Sequence, residues 1–270
     1  NLVSELDPKL EERSPTVFAE LPKFSPGLAD EAGTRALGYI GIGDVGPALN
    51  RVLATAGAGA QGVAGALRAL AQRLEQQAGV DPLKDLLPAL DGQAALVAEP
   101  TDSIPYASLI VDGVDESKAE EALASLQGPI IRAIGTGARQ VARFQSTEVE
   151  GVTVHSVQVS PNVNLSYALF DGKLVVSTQP EGIAQVRSSG DNLAGTGAYQ
   201  DATDSLPDDV SALVFLNLDE VLGLAQQAGL AEDPLYASLS EDISHIRSLG
   251  LAVRGSDDEL RSELFLSIPD

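Results

Sequence analysis

The chain has no cysteine, no tryptophan and no methionine, and only 5 Tyr and 6 Phe in 270 residues. Without Cys there is no thiol nucleophile, no disulfide framework and no thiolate metal site. Basic residues are scarce: 17 Lys and Arg stand against 39 Asp and Glu, a formal net charge of −22. Nucleic-acid affinity rests on Lys and Arg neutralising phosphates, so this balance argues against a nucleic-acid partner. It argues equally against a polybasic hold on anionic lipid. No apolar run reaches the roughly 18 residues that a membrane-spanning helix needs. A chain that starts at Asn1 without any Met is expected to be a fragment or to have lost an N-terminal segment. The missing Met and Cys suit an oxidising, extracytoplasmic setting; a GC-rich genome explains the same composition equally well.

What is present is aliphatic. Hydrophobic residues make up 44% of the chain, enough for one large domain or two small ones. Residues 1–33 carry Pro8, Pro15, Pro22 and Pro26 among acids, a spacing that interrupts helices. They read as a Pro-rich leader or stalk in which only Thr16–Glu20 suits a strand. The first clear strand is Ala36–Ile42. Helices are expected at 47–56 and at 62–78, where Val63, Leu67, Leu70 and Leu74 share one face. Strands follow at 93–99 and 106–112. A helix then starts at Ser117 with the capping box Ser117/Glu120 and is broken at Gly128-Pro129. Residues 142–178 read as four strands, and Asp171-Gly172 between LSYALF and KLVVS is a hairpin signal. A helix at 181–188 precedes a polar, Gly-rich surface loop with one helical turn, 190–207.

The last third echoes the first. Ala36–Val45 (ALGYIGIGDV) aligns with Ala212–Val221 (ALVFLNLDEV), and each copy runs strand, helix, helix, strand, strand. The expected fold is therefore α+β. It has mostly antiparallel sheets with helices packed on one face, and two related halves at 34–190 and 191–270.

Three stretches, LPDDVSALVFLNLDEVL (206–222), VDESKAEEALASL (114–126) and LSYALFDGKLVVSTQPEGIAQV (165–186), resemble the DUF3352 family, uncharacterised bacterial envelope proteins common in actinobacteria. The resemblance covers about residues 36–270. It departs before Ala36, where Asp30-Glu31-Ala32-Gly33 stands in place of an LP-x-D opening. It implies an extracytoplasmic location in the cell envelope, or secretion, behind a signal peptide, a lipid anchor or a single membrane anchor outside this chain. It implies no activity.

The chemical motifs read as structure. Gly41-Ile42-Gly43-Asp44-Val45-Gly46 matches G-x-G-x-x-G, but no second strand with an acidic end follows, and the echo at Asn217–Leu222 has no Gly. His155 and His245 lack acids at metal spacing, so no metal is expected. Asp201, Asp204, Asp208 and Asp209 crowd one loop and Asp257-Asp258-Glu259 another, without the calcium-loop pattern. No catalytic residue and no cofactor are assigned.

The sheet's faces carry the functional expectation. Ala212, Val214, Leu216 and Leu218, with Leu260, Leu264, Leu266 and Ile268, read as the face packed on helices. Leu37, Tyr39, Leu213 and Phe215 alternate with that set: either a second layer of helices or the leader covers them, or they form an apolar face for a lipid-like ligand or a protein partner. The expected function is a non-enzymatic extracytoplasmic binding or interaction protein. A hydrolase or transferase with an unrecognised carboxylate site, and a structural spacer, stand as alternatives.

Overall fold

The structure, a computed structural model, describes residues 2–5, 22–46, 76, 86–101, 104–135, 143–160, 163–188, 190–207, 209–229, 243, 245–255 and 260–268. The helices expected at 47–56 and 62–78, the strand at Thr16–Glu20 and the Asp257–Glu259 turn lie outside these residues, Gln76 excepted. The described strands are β1 (Leu2–Glu5), β2 (Gly38–Ile42), β3 (Ala94–Glu99), β4 (Tyr106–Val111), β5 (Gln145–Val149), β6 (Val152–Ser160), β7 (Val163–Phe170), β8 (Lys173–Ser177), β9 (Ala212–Asn217), β10 (Ser248–Gly255) and β11 (Leu260–Ser267). The described α-helices are α1 (Glu116–Gly135), α2 (Pro180–Arg187), α3 (Gly197–Thr203) and α4 (Leu218–Gln227).

The chain forms two compact units, Asn1–Gly43 with Ala95–Ala107 and Ser189–Asp270, and Asp44–Ala94 with Ser108–Ser188. Residues 36–43 and 95–107 thus share a unit with the chain's last third. In the first unit the strand order is β1-β11-β10-β9-β2-β3, and in the second β4-β8-β7-β6-β5. The described pairings are antiparallel within both units, which gives a mostly antiparallel α+β fold.

Hairpins set the register of the second unit. Asp171 and Gly172 hold φ of 50° and 71°, and Glu150 and Gly151 hold 48° and 76°. Both are the double left-handed turns whose twist matches the flanking strands. Helix α1 starts one residue earlier than its sequence suggests, because Asp115 Oδ1, not Ser117, accepts the Lys118 backbone N–H at 3.3 Å. It also runs through Pro129 to Gly135. Pro129 is buried, and its packing offsets the roughly 3 kcal/mol that an interior proline costs.

One expectation about layers is corrected here. In the second unit the helices do not share a face. Gln127 of α1 donates to the Tyr167 hydroxyl at 2.7 Å. A Cβ on Gly182 of α2 would lie 2.2 Å from Ser108 Oγ and 2.3 Å from Ser177 Oγ. Ser177 pairs with Ser166, the neighbour of Tyr167 in β7, so the two helices sit on opposite sides of the pleat.

Two parts of the stretch read as a leader are built into the first unit: Leu2–Glu5, where no strand was expected, forms β1 and pairs with β11, and residues 22–33 pack into the unit. Phe24 and Val210 exchange backbone hydrogen bonds of 2.8 and 3.0 Å, and Leu28, Ala29 and Ala32 are buried.

Candidate functional site

The two faces of the first unit's sheet decide what can bind there. Strands β2 and β9 lie side by side, with Tyr39 opposite Phe215, Ile40 opposite Val214 and Gly38 opposite Leu216. Side chains alternate across the pleat, so Tyr39 and Phe215 share one face, and Ile40, Val214 and Leu216 the other.

The first face is closed. Tyr39 is 0% exposed and Phe215 1%, and Leu37 and Leu213 are buried with them. The four residues offered as an open apolar face are therefore interior, which overturns that reading in favour of its alternative, a face covered by the chain itself. Their cover is α3, from the segment read as a polar surface loop. The Tyr199 ring meets Phe215 edge-on at 5.2 Å between centroids and Tyr39 at 6.2 Å. Thr196 caps this short helix by accepting from the Tyr199 N–H at 3.3 Å. Ser248 Oγ donates to the Ala198 carbonyl at 2.8 Å.

Two glycines make this closure fit. A Cβ on Gly250 would lie 2.1 Å from the Ala202 carbonyl oxygen, and one on Gly41 2.7 Å from the Tyr39 hydroxyl. A glycine inside a strand marks where another group comes close. These two were the available signal for the covered face.

Burial also sets the acidity of the ring cluster. The Tyr39 hydroxyl is buried without a hydrogen-bond partner. Desolvation, then Tyr199 and Asp30, pushes its ionisation far above the ordinary tyrosine range. Tyr199 is pushed up to about 12, again mainly by burial.

The second face, the one expected to be packed on helices, is the more exposed of the two among the described residues. Of that set only Ala212 is buried; Leu266 is 41% exposed and Ile268 is still more so. Val214, Leu216, Leu218 and Leu264 are half-buried. The Leu260 side chain lies outside the described residues. Register places Leu266, Leu249, Leu216 and Gly38 in one row and Leu264, Leu251, Val214 and Ile40 in the next. Ile40 is 43% exposed. On β3, Leu96 is 45% exposed. It alternates with Ala95, Val97 and Glu99, and Glu99 turns toward the covering segments, accepting from the Gly33 N–H at 2.5 Å and from the Tyr106 hydroxyl. With strands about 4.8 Å apart and same-face residues about 6.8 Å apart, the aliphatic grid measures roughly 300 Å².

The other motifs go to structure. Gly43 lies against Phe24, where a Cβ would come within 2.9 Å, and the Val45 N–H donates to Gly92 at 2.9 Å, so the glycine-rich turn spends its space and N–H groups internally. Desolvation, then Asp91, pushes the Asp44 carboxyl up. The His155 ring stacks on Tyr167 at 4.9 Å with Nδ1 3.0 Å from Ser146 Oγ, and His245 is exposed. Asp201 faces Arg247 at 3.6 Å. Among the described residues no three His, Asp or Glu side chains converge as metal ligands.

Two shallow depressions also occur. One, of about 230 Å³, is lined by Arg35, Pro100, Asp219, Glu220, Gly223, Leu224 and Gln227, and the Arg35–Glu220 ion pair at 3.0 Å occupies its wall. The other, of about 370 Å³, lies between α1 and β6–β7 and includes Glu116, Glu120, His155 and Tyr167. Neither includes the aliphatic grid.

A family model for proteins of unknown function, DUF3352, matches residues 38–268. The chain belongs to the DUF3352 family. No curated protein matches it. Among solved structures, three crystal forms of TP0453 are similar to this DUF3352 chain at 10% identity. Form I covers 91% of this chain and 80% of its own at a TM-score of 0.41, form III 91% and 81% at 0.39, and form IV 94% and 83% at 0.44. A likeness this remote has no bearing on function. Among the described residues no helix is long and apolar enough to cross a membrane.

Proposed function

We propose that this DUF3352 protein is a non-enzymatic, extracytoplasmic interaction protein, tethered by an anchor outside this chain, that takes an apolar partner on the open face of β11-β10-β9-β2. The half-exposed aliphatic grid carries the reading. One face of an antiparallel sheet is ordinarily packed and the other polar where it meets water. Here the packed face is complete with Tyr39, Phe215 and Tyr199, so stability makes no demand for leucines on the other side. A contiguous apolar patch of a few hundred Å² marks an interaction site more often than a bare surface. The extracytoplasmic setting rests on the family resemblance and on the absence of Cys and Met.

The repeat reading supports the same surface. Outward from the β2–β9 pair, β3 lies beyond β2 and β10 beyond β9, and Tyr39 faces the residue with which it aligns, Phe215. A duplication related by a local two-fold axis at this pair accounts for that order. It also accounts for a face continuous across both copies.

Nile red, a neutral dye that brightens in apolar surroundings, tests the proposal. The native protein is expected to bind it. Leu251→Asp and Leu216→Asp should lose most of the signal while keeping the native circular dichroism. A native protein that leaves the dye dark, or a Leu251→Asp variant that binds as before, overturns the proposal.

A further inference from the structure

A groove of about 370 Å³ lies between α1 and β6–β7 in the second unit, within the roughly 300–1,000 Å³ of small-ligand pockets. It is separate from the aliphatic grid, whose strands belong to the first unit. Helix α1 buries Ala119, Leu123 and Leu126. The flank beside that stripe, Glu116, Glu120, Ala124 and Gln127 at helical spacing, forms one wall of the groove. Register sets the floor. His155 faces Tyr167 across β6–β7, and the two rings stack at 4.9 Å. Thr153 and Leu169, two residues along the same strands, share that side of the pleat. Glu116 accepts from the Gly172 N–H at 2.6 Å and Gln127 donates to the Tyr167 hydroxyl at 2.7 Å, so α1 is pinned over the sheet at both ends of the groove.

The charge placed on this lining is of one sign. Glu116 and Glu120 are exposed, and Glu148, opposite Thr153, brings a third exposed carboxylate to the same side of the sheet. Among the described residues no Lys or Arg pairs with any of the three. The cations close by in the chain are spent elsewhere, Lys118 on Asp115 at 2.7 Å and Arg187 on Asp171 at 3.1 Å. Lys173 lies with Ser177 on the α2 side of the pleat. Burial, with the Glu120 charge added to it, holds the Tyr167 phenol above the ordinary tyrosine range against the Gln127 hydrogen bond.

These carboxylates repel an anion. A bare metal ion is poorly served, because among the described residues no three ligating side chains converge. A neutral apolar molecule gains nothing from the acids. A cation carried on a carbon skeleton matches both the acids and the floor, since carboxylates bond strongly to an ammonium group and aromatic rings attract it as well.

We infer that the groove between α1 and β6–β7 binds an organic ammonium ion, its charge held by Glu116 and Glu120 and its apolar body laid along Ala124 and Leu169 beside the His155–Tyr167 stack. The ammonium group comes either from a free amine or from a Lys side chain of another protein.

The two histidines of the chain supply the readout. His155 floors the groove, and His245 is exposed outside it. Proton NMR of both rings is followed on the full chain as hexylammonium chloride is added. The His155 signals are expected to shift and saturate while those of His245 stay in place. Hexanol and sodium hexanoate should leave both unmoved at the same concentrations. Glu120→Gln, with its native circular dichroism kept, should weaken binding about fivefold, and Glu116→Gln with Glu120→Gln should weaken it further. Glu121→Gln, an exposed neighbour outside the groove, should stay within about twofold. An unmoved His155, or hexanol bound as well as hexylammonium, overturns the inference. Equal losses from Glu121→Gln and Glu120→Gln reduce it to general charge attraction and overturn it too. Nα-acetyl-lysine methylamide separates the two sources: tighter binding than hexylammonium assigns the groove to a partner's Lys, and weaker binding assigns it to a free amine.

Discussion

Among the described residues the helices cover the strands of the two units differently. In the second, α1 lays Ala119, Ala122, Leu123 and Leu126 inward on one side, and α2 presses Gly182, Ile183 and Val186 onto the serine-lined other side. Among the described residues of the first, the 7-residue α3 and the turns around Leu28 and Leu193 close the side that carries Tyr39 and Phe215. Both sheets are built from alternating aliphatic strands. The difference teaches that the alternation specifies two apolar sides, and that the returning segments choose which one is buried.

The contrast within the first unit can be broken most forcefully at its closed face. Phe215→Asp buries a charge among Tyr39 and Tyr199 and is expected to cost about 4 kcal/mol or more, unfolding much of the protein in a urea titration. If its unfolding midpoint stays near that of the native chain, the closed face is misassigned.

Glycines sharpen the same contrast with a smaller effect. Gly250→Ala pushes a methyl into the Ala202 carbonyl and should cost about 2–3 kcal/mol. Gly38→Ala, on the open side, meets its nearest atom at 3.4 Å and should stay within about 1 kcal/mol. Equal melting temperatures for the two variants would erase the distinction.

Alkaline pH probes the closed face without mutation. Burial holds Tyr199 and Tyr39 neutral in the fold, with Tyr199 at about 12, whereas an unfolded tyrosine ionises near about 10. The unfolded chain therefore releases its protons first. The stability that these rings contribute is fully present below about pH 10 and is lost as pH climbs toward 12, by about 2–3 kcal/mol for Tyr199 alone. Phenolate absorbance should lag behind that of a free tyrosine and then rise together with unfolding. A simple titration near pH 10 in the folded protein would contradict the burial.

The smallest effect is expected from Tyr39→Phe. The hydroxyl is buried without a partner, so removing it leaves nothing else unsatisfied. Stability should change by less than about 0.5 kcal/mol or rise slightly. A loss above about 1 kcal/mol would show that the oxygen is satisfied after all.

Much of the local structure was legible in the residues. The turn at Asp171-Gly172, the strands on either side and the long helix after Val114 follow from turn chemistry and apolar period. The family was legible in the stretches around Leu206, Val114 and Leu165. The start of α1 was misplaced because Asp115 and Ser117 both suit a cap, and only the Lys118 N–H chooses between them. Pro129 was read as a break because its cost is local, whereas the burial that offsets it comes from the rest of the unit.

The side of the sheet that faces solvent belongs to tertiary structure alone. Leu213 and Phe215 are no more apolar than Val214 and Leu216, so a period-two pattern labels the sides without ranking them. What ranks them is a short helix in a Gly-rich segment with one large anchor, Tyr199, whose sequence looks like loop because few of its residues are apolar. Its seat depends on Gly41 and Gly250, positions more than 200 residues apart in the chain and two strands apart in the sheet. Sequence by itself determined most of the strands after residue 36, several of their turns and the family. The return of α3 onto one side, a packing event between distant segments, decided that Tyr39 and Phe215 are interior while Ile40 and Leu266 stay exposed.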